Sequence, residues 1–179
     1  MIFISGIHGS GKTYFCEQVK EKLDCLTYSA SKLIEERKNM RFDSDKLIPD
    51  IEDNQKYLLS AVNELNNKNP AYLLDGHFCL LNANGMITRI EQDTFIKLNP
   101  HAFMLITEEP KVILKRRAIR DGINNSIDEI SLFQNEETTY ATELSALLNI
   151  PLCIYSSNDK FNKTLDFIQA QIRRIQNAR

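Results

Sequence analysis

Residues 6–13, GIHGSGKT, fit the pattern G-x-x-x-x-G-K-[ST]. Ahead of them Ile2, Phe3 and Ile4 make a short apolar run of strand type. Behind them Tyr14, Phe15, Val19 and Leu23 fall on one face of a helix. A strand, a glycine loop and a helix N-terminus in that order aim several backbone N–H groups at one point, and that point attracts an anion. Gly6, Gly9 and Gly11 let the backbone turn and approach phosphate closely. Lys12 is placed to reach the outer phosphates, and the Thr13 hydroxyl to ligate Mg²⁺. The candidate phosphate-binding set is therefore Gly6, His8, Gly9, Ser10, Gly11, Lys12 and Thr13, with Tyr14 immediately beyond.

A second constellation is AYLLDGH, where Asp75 ends an apolar strand. From such a position a carboxylate organises Mg²⁺ beside a phosphate loop, usually through water. His77 stands two residues on. It either hydrogen-bonds the attacking group or the phosphate, or is a satisfied structural histidine.

The third is EEPKVILKRRAIRD. Pro110 suits a first helical turn, and Arg116 and Arg120, four apart, share a face with Arg117 to one side. Clustered guanidiniums call for an anion or carboxylates among them, and a phosphoryl group in transit is such an anion. A solvated basic face is the plainer alternative. The polar loop that follows, within residues 121–126, suggests a short lid. Ser126 and Glu129 then make a capping box. The next helix has the stripe Ile127, Ile130, Phe133, Tyr140, Leu144 and Leu147, with Glu137 on the same face; the lid arginines are candidate partners for that carboxylate.

The elements that must position these groups alternate. Strand-like runs recur at MIFIS, residues 26–28, AYLLD, HAFMLIT and PLCIY, with helical patterns between them. The last helix is the cleanest, through Phe161, Leu165, Ile168, Ile172 and Ile175. Such alternation predicts an α/β fold: a five-stranded parallel sheet with helices on both faces, in three layers. Ligands then bind beyond the carboxyl ends of the strands, where the glycine loop lies. Two segments look added to this core. Residues 29–67 hold a charged helix, a polar turn and a helix with Ile51, Tyr57, Leu58, Ala61, Val62 and Leu65 inward, N-capped by Asp50. Residues 78–90 read as a β-hairpin turning at Asn84 and Gly85.

One domain is expected from 179 residues. A formal net charge of −2 argues against broad nucleic-acid binding, so any such contact needs a local patch. No apolar run is long enough to span a membrane and no leader pattern opens the chain. Cys16, Cys25, Cys79 and Cys153 lack metal-ligand spacing, which fits buried reduced thiols in a cytoplasmic protein.

The assembled pattern resembles the adenylate-kinase group of nucleoside monophosphate kinases, especially archaeal-type adenylate kinases and the adenylate kinase isoenzyme six family. The likeness rests on GIHGSGKT, YSASKLIEER, LLDGH, the GMITRI hairpin, LNPHAFMLITEEPKVILKRRAIRD and the long helix through EETTYA. It implies a P-loop kinase. MgATP would occupy the loop with Lys12 and Thr13, Mg²⁺ would be held by Thr13 and Asp75, and adenine would lie near residues 156–159, at Asn158. Residues 29–67 would form the acceptor-binding arm, and Arg116 and Arg120 would close over the transferring group. Where many such kinases carry an acceptor-gripping Arg, this chain has Glu35 or Glu36, and DGHFC replaces D-G-F-P-R. Arg37, Arg41, Lys46, His77 and Arg89 are then the acceptor-side candidates. The expected activity is transfer of the γ-phosphoryl of ATP to a nucleoside monophosphate. The alternative is an ATPase switch acting on a protein or RNA partner. A non-nucleotide alcohol as acceptor is a third reading.

Overall fold

A computed structural model of the chain describes residues 1–40, 47–48, 50–69, 71–122 and 125–178. In chain order the first elements are β1 (Ile2–Ser5), α1 (Lys12–Leu23), β2 (Leu26–Ser29), α2 (Ala30–Lys38), β3 (Leu47–Ile48) and α3 (Ile51–Lys68). Next come β4 (Tyr72–Asp75), β5 (Cys79–Asn82), β6 (Ile87–Arg89), α4 (Gln92–Leu98) and β7 (Ala102–Thr107). The chain closes with α5 (Pro110–Asp121), α6 (Ile127–Leu148), β8 (Leu152–Ser156) and α7 (Phe161–Asn177).

Five strands form one sheet in the order β2-β4-β1-β7-β8, every neighbouring pair parallel. Parallel strands between two helical layers are buried on both faces, which is why they read as unbroken apolar runs. Side chains alternate along them. Met1, Phe3 of β1, Tyr72 and Leu74 of β4, and Phe103 and Leu105 of β7 join one core, with α3, α4 and α6. Ile2, Ile4, Leu73, Met104 and Ile106 join the other, with α1 and α7. In the first core, the rings of Phe3, Phe78, Phe95 and Phe103 pack mutually, Phe78 and Phe103 at 4.9 Å between centroids and Phe3 and Phe78 at 5.3 Å. Offset and edge-on contacts of this kind add to what burial alone supplies.

Register brings the chemistry together. Ile4 lies opposite Asp75, and the Gly76 N–H donates to the Ile4 carbonyl at 2.9 Å. The glycine loop thus leaves β1 beside the strand end that carries Asp75.

The three-layer sheet, the hairpin and both helix caps match the sequence reading. Asp50 accepts from the Asp53 N–H at 3.0 Å, and Ser126 with Glu129 forms a complete capping box. Gly85 takes φ 74° in the hairpin turn, a left-handed conformation that glycine adopts freely. Two elements were not expected. β3 is only two residues long and pairs parallel with β5, making a second, three-stranded sheet, β3-β5-β6. α4 has seven residues, too few to show a helical period. The stripe on α6 is also shorter than expected, since Ile127 and Leu147 are exposed. Of the 121–126 lid, residues 123–124 lie outside the described residues. Cys16 and Cys25 are buried free thiols, pushed up by desolvation to about 12 and about 11, so neither is a nucleophile at neutral pH. No helix among the described residues is long and apolar enough to cross a membrane.

Gly76 is where the core meets the site. A Cβ there would fall 2.7 Å from Cζ of Phe3, a ring that its three aromatic neighbours hold in place. Gly76→Ala should therefore overpack the core by about 1–3 kcal/mol. Thermal melting followed by circular dichroism should show the midpoint lowered by roughly 2–10 °C; an unchanged midpoint would mean that Phe3 is free to yield.

Candidate active site

The glycine loop is closed by the Ser10 N–H donating to the Ile7 carbonyl at 3.1 Å. Gly6 has φ 147°, and a Cβ on it would lie 2.3 Å from the Ile106 carbonyl oxygen of the neighbouring strand, so no other residue fits. α1 starts at Lys12, and its first intrahelical bond runs from the Phe15 N–H to the Gly11 carbonyl at 3.0 Å. The N–H groups of Lys12, Thr13 and Tyr14 therefore have no acceptor within the helix. Ser10 Oγ is buried without a hydrogen-bond partner among the described residues. Open donors, a buried hydroxyl and the positive end of a helix together fit a phosphate chain.

Lys12 is 8 % exposed. Its ammonium donates to the Gly6 carbonyl at 2.6 Å and stands 4.0 Å from the Asp75 carboxylate. Burial pulls the Lys12 ammonium below its ordinary range, against the pull of Asp75 and Glu137; burial likewise raises Asp75, which Lys12 opposes. Thr13 and Tyr14 are exposed at the cavity rim. Thr13 and Asp75, both lining the cavity, are the residues that could hold a Mg²⁺ ion there. Among the described residues no cluster of His, Cys, Asp or Glu forms a self-sufficient metal cage.

α5 lays its arginines against this loop. Arg116 donates to the Gly9 carbonyl and to the Glu108 carboxylate, both at 3.1 Å. Glu108, 6 % exposed, also accepts from the Ser157 hydroxyl at 2.7 Å and from the Glu109 N–H at 2.9 Å. It thereby ties α5 to the turn after β8. Sequence reasoning missed Glu108; its position at the end of β7, mirroring Asp75 at the end of β4, was the available signal. Arg120 forks onto Asp121 at 2.8 and 2.6 Å while lining the cavity. Arg117 is buried behind the loop, its Cγ 3.1 Å from where a Gly9 Cβ would sit.

Glu137, fully buried on α6, does not pair with the lid arginines as expected. Its carboxylate accepts a short hydrogen bond from the Ser5 hydroxyl, one at 2.9 Å from the Phe78 N–H and one at 2.6 Å from the Cys79 N–H. Burial raises its pKa, and these three donors and Lys12 oppose the rise. The group joins the end of β1 to the start of β5, on either side of Asp75 and His77.

One cavity of about 920 Å³ opens from the loop. Gly9, Gly11, Lys12, Thr13, Tyr14, Asp75, Arg116 and Arg120 line one part, and residues of α2, α3 and α4 another. His8 and His77 also line it, their rings 4.4 Å apart between centroids. The acceptor-side expectations need correction. Arg37 pairs with Glu64 at 2.8 Å and donates to Ser60 at 3.1 Å, away from the cavity. Arg89 is held by Glu136 at 2.5 Å and Glu143 at 2.6 Å and stacks over the Tyr140 ring. In each case carboxylates on a neighbouring helix capture the guanidinium. Asn158 is exposed in the turn after β8 and does not line the cavity; its neighbour Ser157 makes the link to Glu108. Arg41 and Lys46 lie outside the described residues.

The Glu137 carboxylate generates a sharp stability test. Glu137→Gln replaces one acceptor oxygen by an N–H donor facing a buried backbone N–H. The loss should be ~2–5 kcal/mol, whereas Ser5→Ala, which leaves both backbone donors paired, should cost about 1 kcal/mol. Chemical denaturation of the two variants measures this, and equal losses would contradict the arrangement.

Residues 5–133 match the AAA domain family. No curated protein matches the chain in sequence. Among solved structures, the shikimate kinase from Acinetobacter baumannii in complex with shikimate is similar at 16 % identity and TM-score 0.57, over 99 % of this chain and 93 % of that one. A shikimate kinase from Aquifex aeolicus gives 15 % and 0.55, over 99 % and 97 %. A gluconokinase from Sinorhizobium meliloti gives 12 % and 0.54, over 99 % and 94 %. At these identities the likeness is one of fold, the fold of P-loop kinases. The stretch from 5 to 133 carries the glycine loop, Asp75 and the α5 arginines, and it takes in most of the 179 residues: this chain belongs to the AAA domain family.

Proposed function

We propose that this protein is an ATP-dependent phosphotransferase that moves the γ-phosphoryl of ATP to a small molecule bound in the same cavity. The observation that carries this reading is the continuity of that cavity. The phosphate-loop residues Lys12 and Thr13, the carboxylate of Asp75 and the arginines of α5 line it together with an inner wall from α2, α3 and α4. Donor and acceptor can therefore occupy one continuous space. The shikimate kinases and gluconokinase that share the fold are, by name, kinases of small molecules, which supports the same class.

In this reading the N–H groups at the start of α1 and the Lys12 ammonium hold the phosphates. Thr13 and Asp75 hold Mg²⁺, which screens the phosphate charge. Arg116, already anchored by Glu108 and Gly9, covers the loop, and Arg120 exchanges Asp121 for the group in transit. Phosphoryl transfer needs little covalent help, so positioning and charge neutralisation are the contributions these residues make. A nucleoside monophosphate was the acceptor expected from sequence. It needs cations on the acceptor side, and among the described residues the lysines and arginines that line the cavity are Lys12, Lys32, Arg116 and Arg120.

Lys12→Ala should lower kcat by about 10²–10³-fold while the fold is retained, by analogy with the loss of one fixed electrostatic contact. ADP release measured by coupled assay, with circular dichroism as the fold control, checks this. Wild-type protein whose ADP release is slow and indifferent to every small acceptor would favour the ATPase-switch alternative.

A further inference from the structure

Of the three arginines on α5, Arg116 and Arg120 line the cavity and Arg117 does not. Arg117 is 2 % exposed and, with Ile113, forms the buried face of the helix. The phosphate loop rests directly on it. A Cβ on Gly9 would lie 3.1 Å from Arg117 Cγ and 3.2 Å from Ile113 Cγ2, and Gly9 takes φ 89° there. The guanidinium follows directly beyond that contact. Its Nε is buried and has no hydrogen-bond partner among the described residues.

Its charge has no partner close by either. Among the described residues the ion pairs of this helix are Arg116 with Glu108 and Arg120 with Asp121, and neither includes Arg117. The acidic groups around it are engaged elsewhere. Arg120 forks onto Asp121 at 2.8 and 2.6 Å, and Glu129 accepts from the Ser126 N–H at 2.8 Å. Desolvation opposes the Arg117 charge most, and Arg120 adds to that; Asp121 and Glu129 support it only from beyond ion-pair distance. Arginine stays ionised under such opposition. A buried cation without a close counter-charge costs stability, and an apolar residue of similar size is commonly the more stable choice.

We infer that Arg117 is a positioning residue for the nucleotide: a cation kept buried and unneutralised against the glycine loop, whose counter-charge is the polyphosphate that the loop binds. The inference rests on the phosphotransferase reading and adds to it a cation from outside the cavity lining. Water screens a buried charge less than a surface one, so its field extends across the loop. Such a field favours a ligand in proportion to its negative charge, and so favours a triphosphate over a diphosphate. Mere support of the loop by packing would make no such distinction.

The test uses the full chain with Arg117→Met, which keeps the bulk and removes the charge, and Arg117→Lys, which keeps the charge. Isothermal titration calorimetry measures MgATP and MgADP binding, and circular dichroism the melting of the nucleotide-free proteins. Arg117→Met should weaken MgATP binding about 10-fold and MgADP binding less, with the nucleotide-free melting midpoint unchanged or raised. Arg117→Lys should keep most of the wild-type affinity. MgATP affinity unchanged in Arg117→Met would overturn the inference. Equal weakening of MgATP and MgADP with a lowered midpoint would also overturn it, leaving Arg117 a packing residue. Wild-type protein that binds MgATP with this dependence on Arg117 yet transfers no phosphoryl group would overturn the phosphotransferase reading and leave the role of Arg117 standing.

Discussion

A carboxylate with no access to water holds the centre of this molecule together. Glu137 reaches from α6 through the core and takes hydrogen bonds from Ser5 at the end of β1 and from the backbone of Phe78 and Cys79 beyond β4. A carboxylate so deeply buried is tolerable only when it is well hydrogen-bonded, and three donors converge on it. The two loops it joins are those that carry Lys12 and Asp75. Their separation is thus set by a residue that does not itself line the cavity.

A second carboxylate performs a related service on the outer side. Glu108 binds Arg116, Ser157 and the first turn of α5 at once. The helix that carries the arginines is thereby fixed against the glycine loop and against the turn after β8. Pre-set geometry of this sort reduces the ordering required when a charged ligand arrives. The buried sheet supplies rigidity beneath, and the four packed phenylalanines seat the Asp75–His77 turn on it.

What could be read from sequence was what depends on near neighbours along the chain. The glycine loop, the capping box at Ser126 and the Gly85 turn each obey a spacing rule of a few residues, and each is where it was expected. The strands were legible because burial on both faces leaves them uniformly apolar. The fates of Arg37 and Arg89 were not, since their partners lie 27 and up to 54 residues away, on helices whose facing is a tertiary matter. Glu137 showed up as an anomaly in an apolar stripe, but its partners are backbone N–H groups, which carry no side-chain signature.

The two-residue strand β3 has a bearing on how the cavity fills. Leu47 and Ile48 pair with Leu81 and Asn82, while Ile48 and Leu80 line the cavity on either side of that junction. α2 and α3 are meanwhile bound to each other by Arg37–Glu64 and Lys38–Asp53. The helical pair is thus braced against itself, packed into the first core through Ile34, Leu58 and Val62, and joined to the hairpin along a short seam. Parting that seam exchanges a few backbone hydrogen bonds for bonds to water, at a net cost of about 1 kcal/mol each. That wall of the cavity, between Ile48 and Leu80, is thus held by few backbone hydrogen bonds among the described residues.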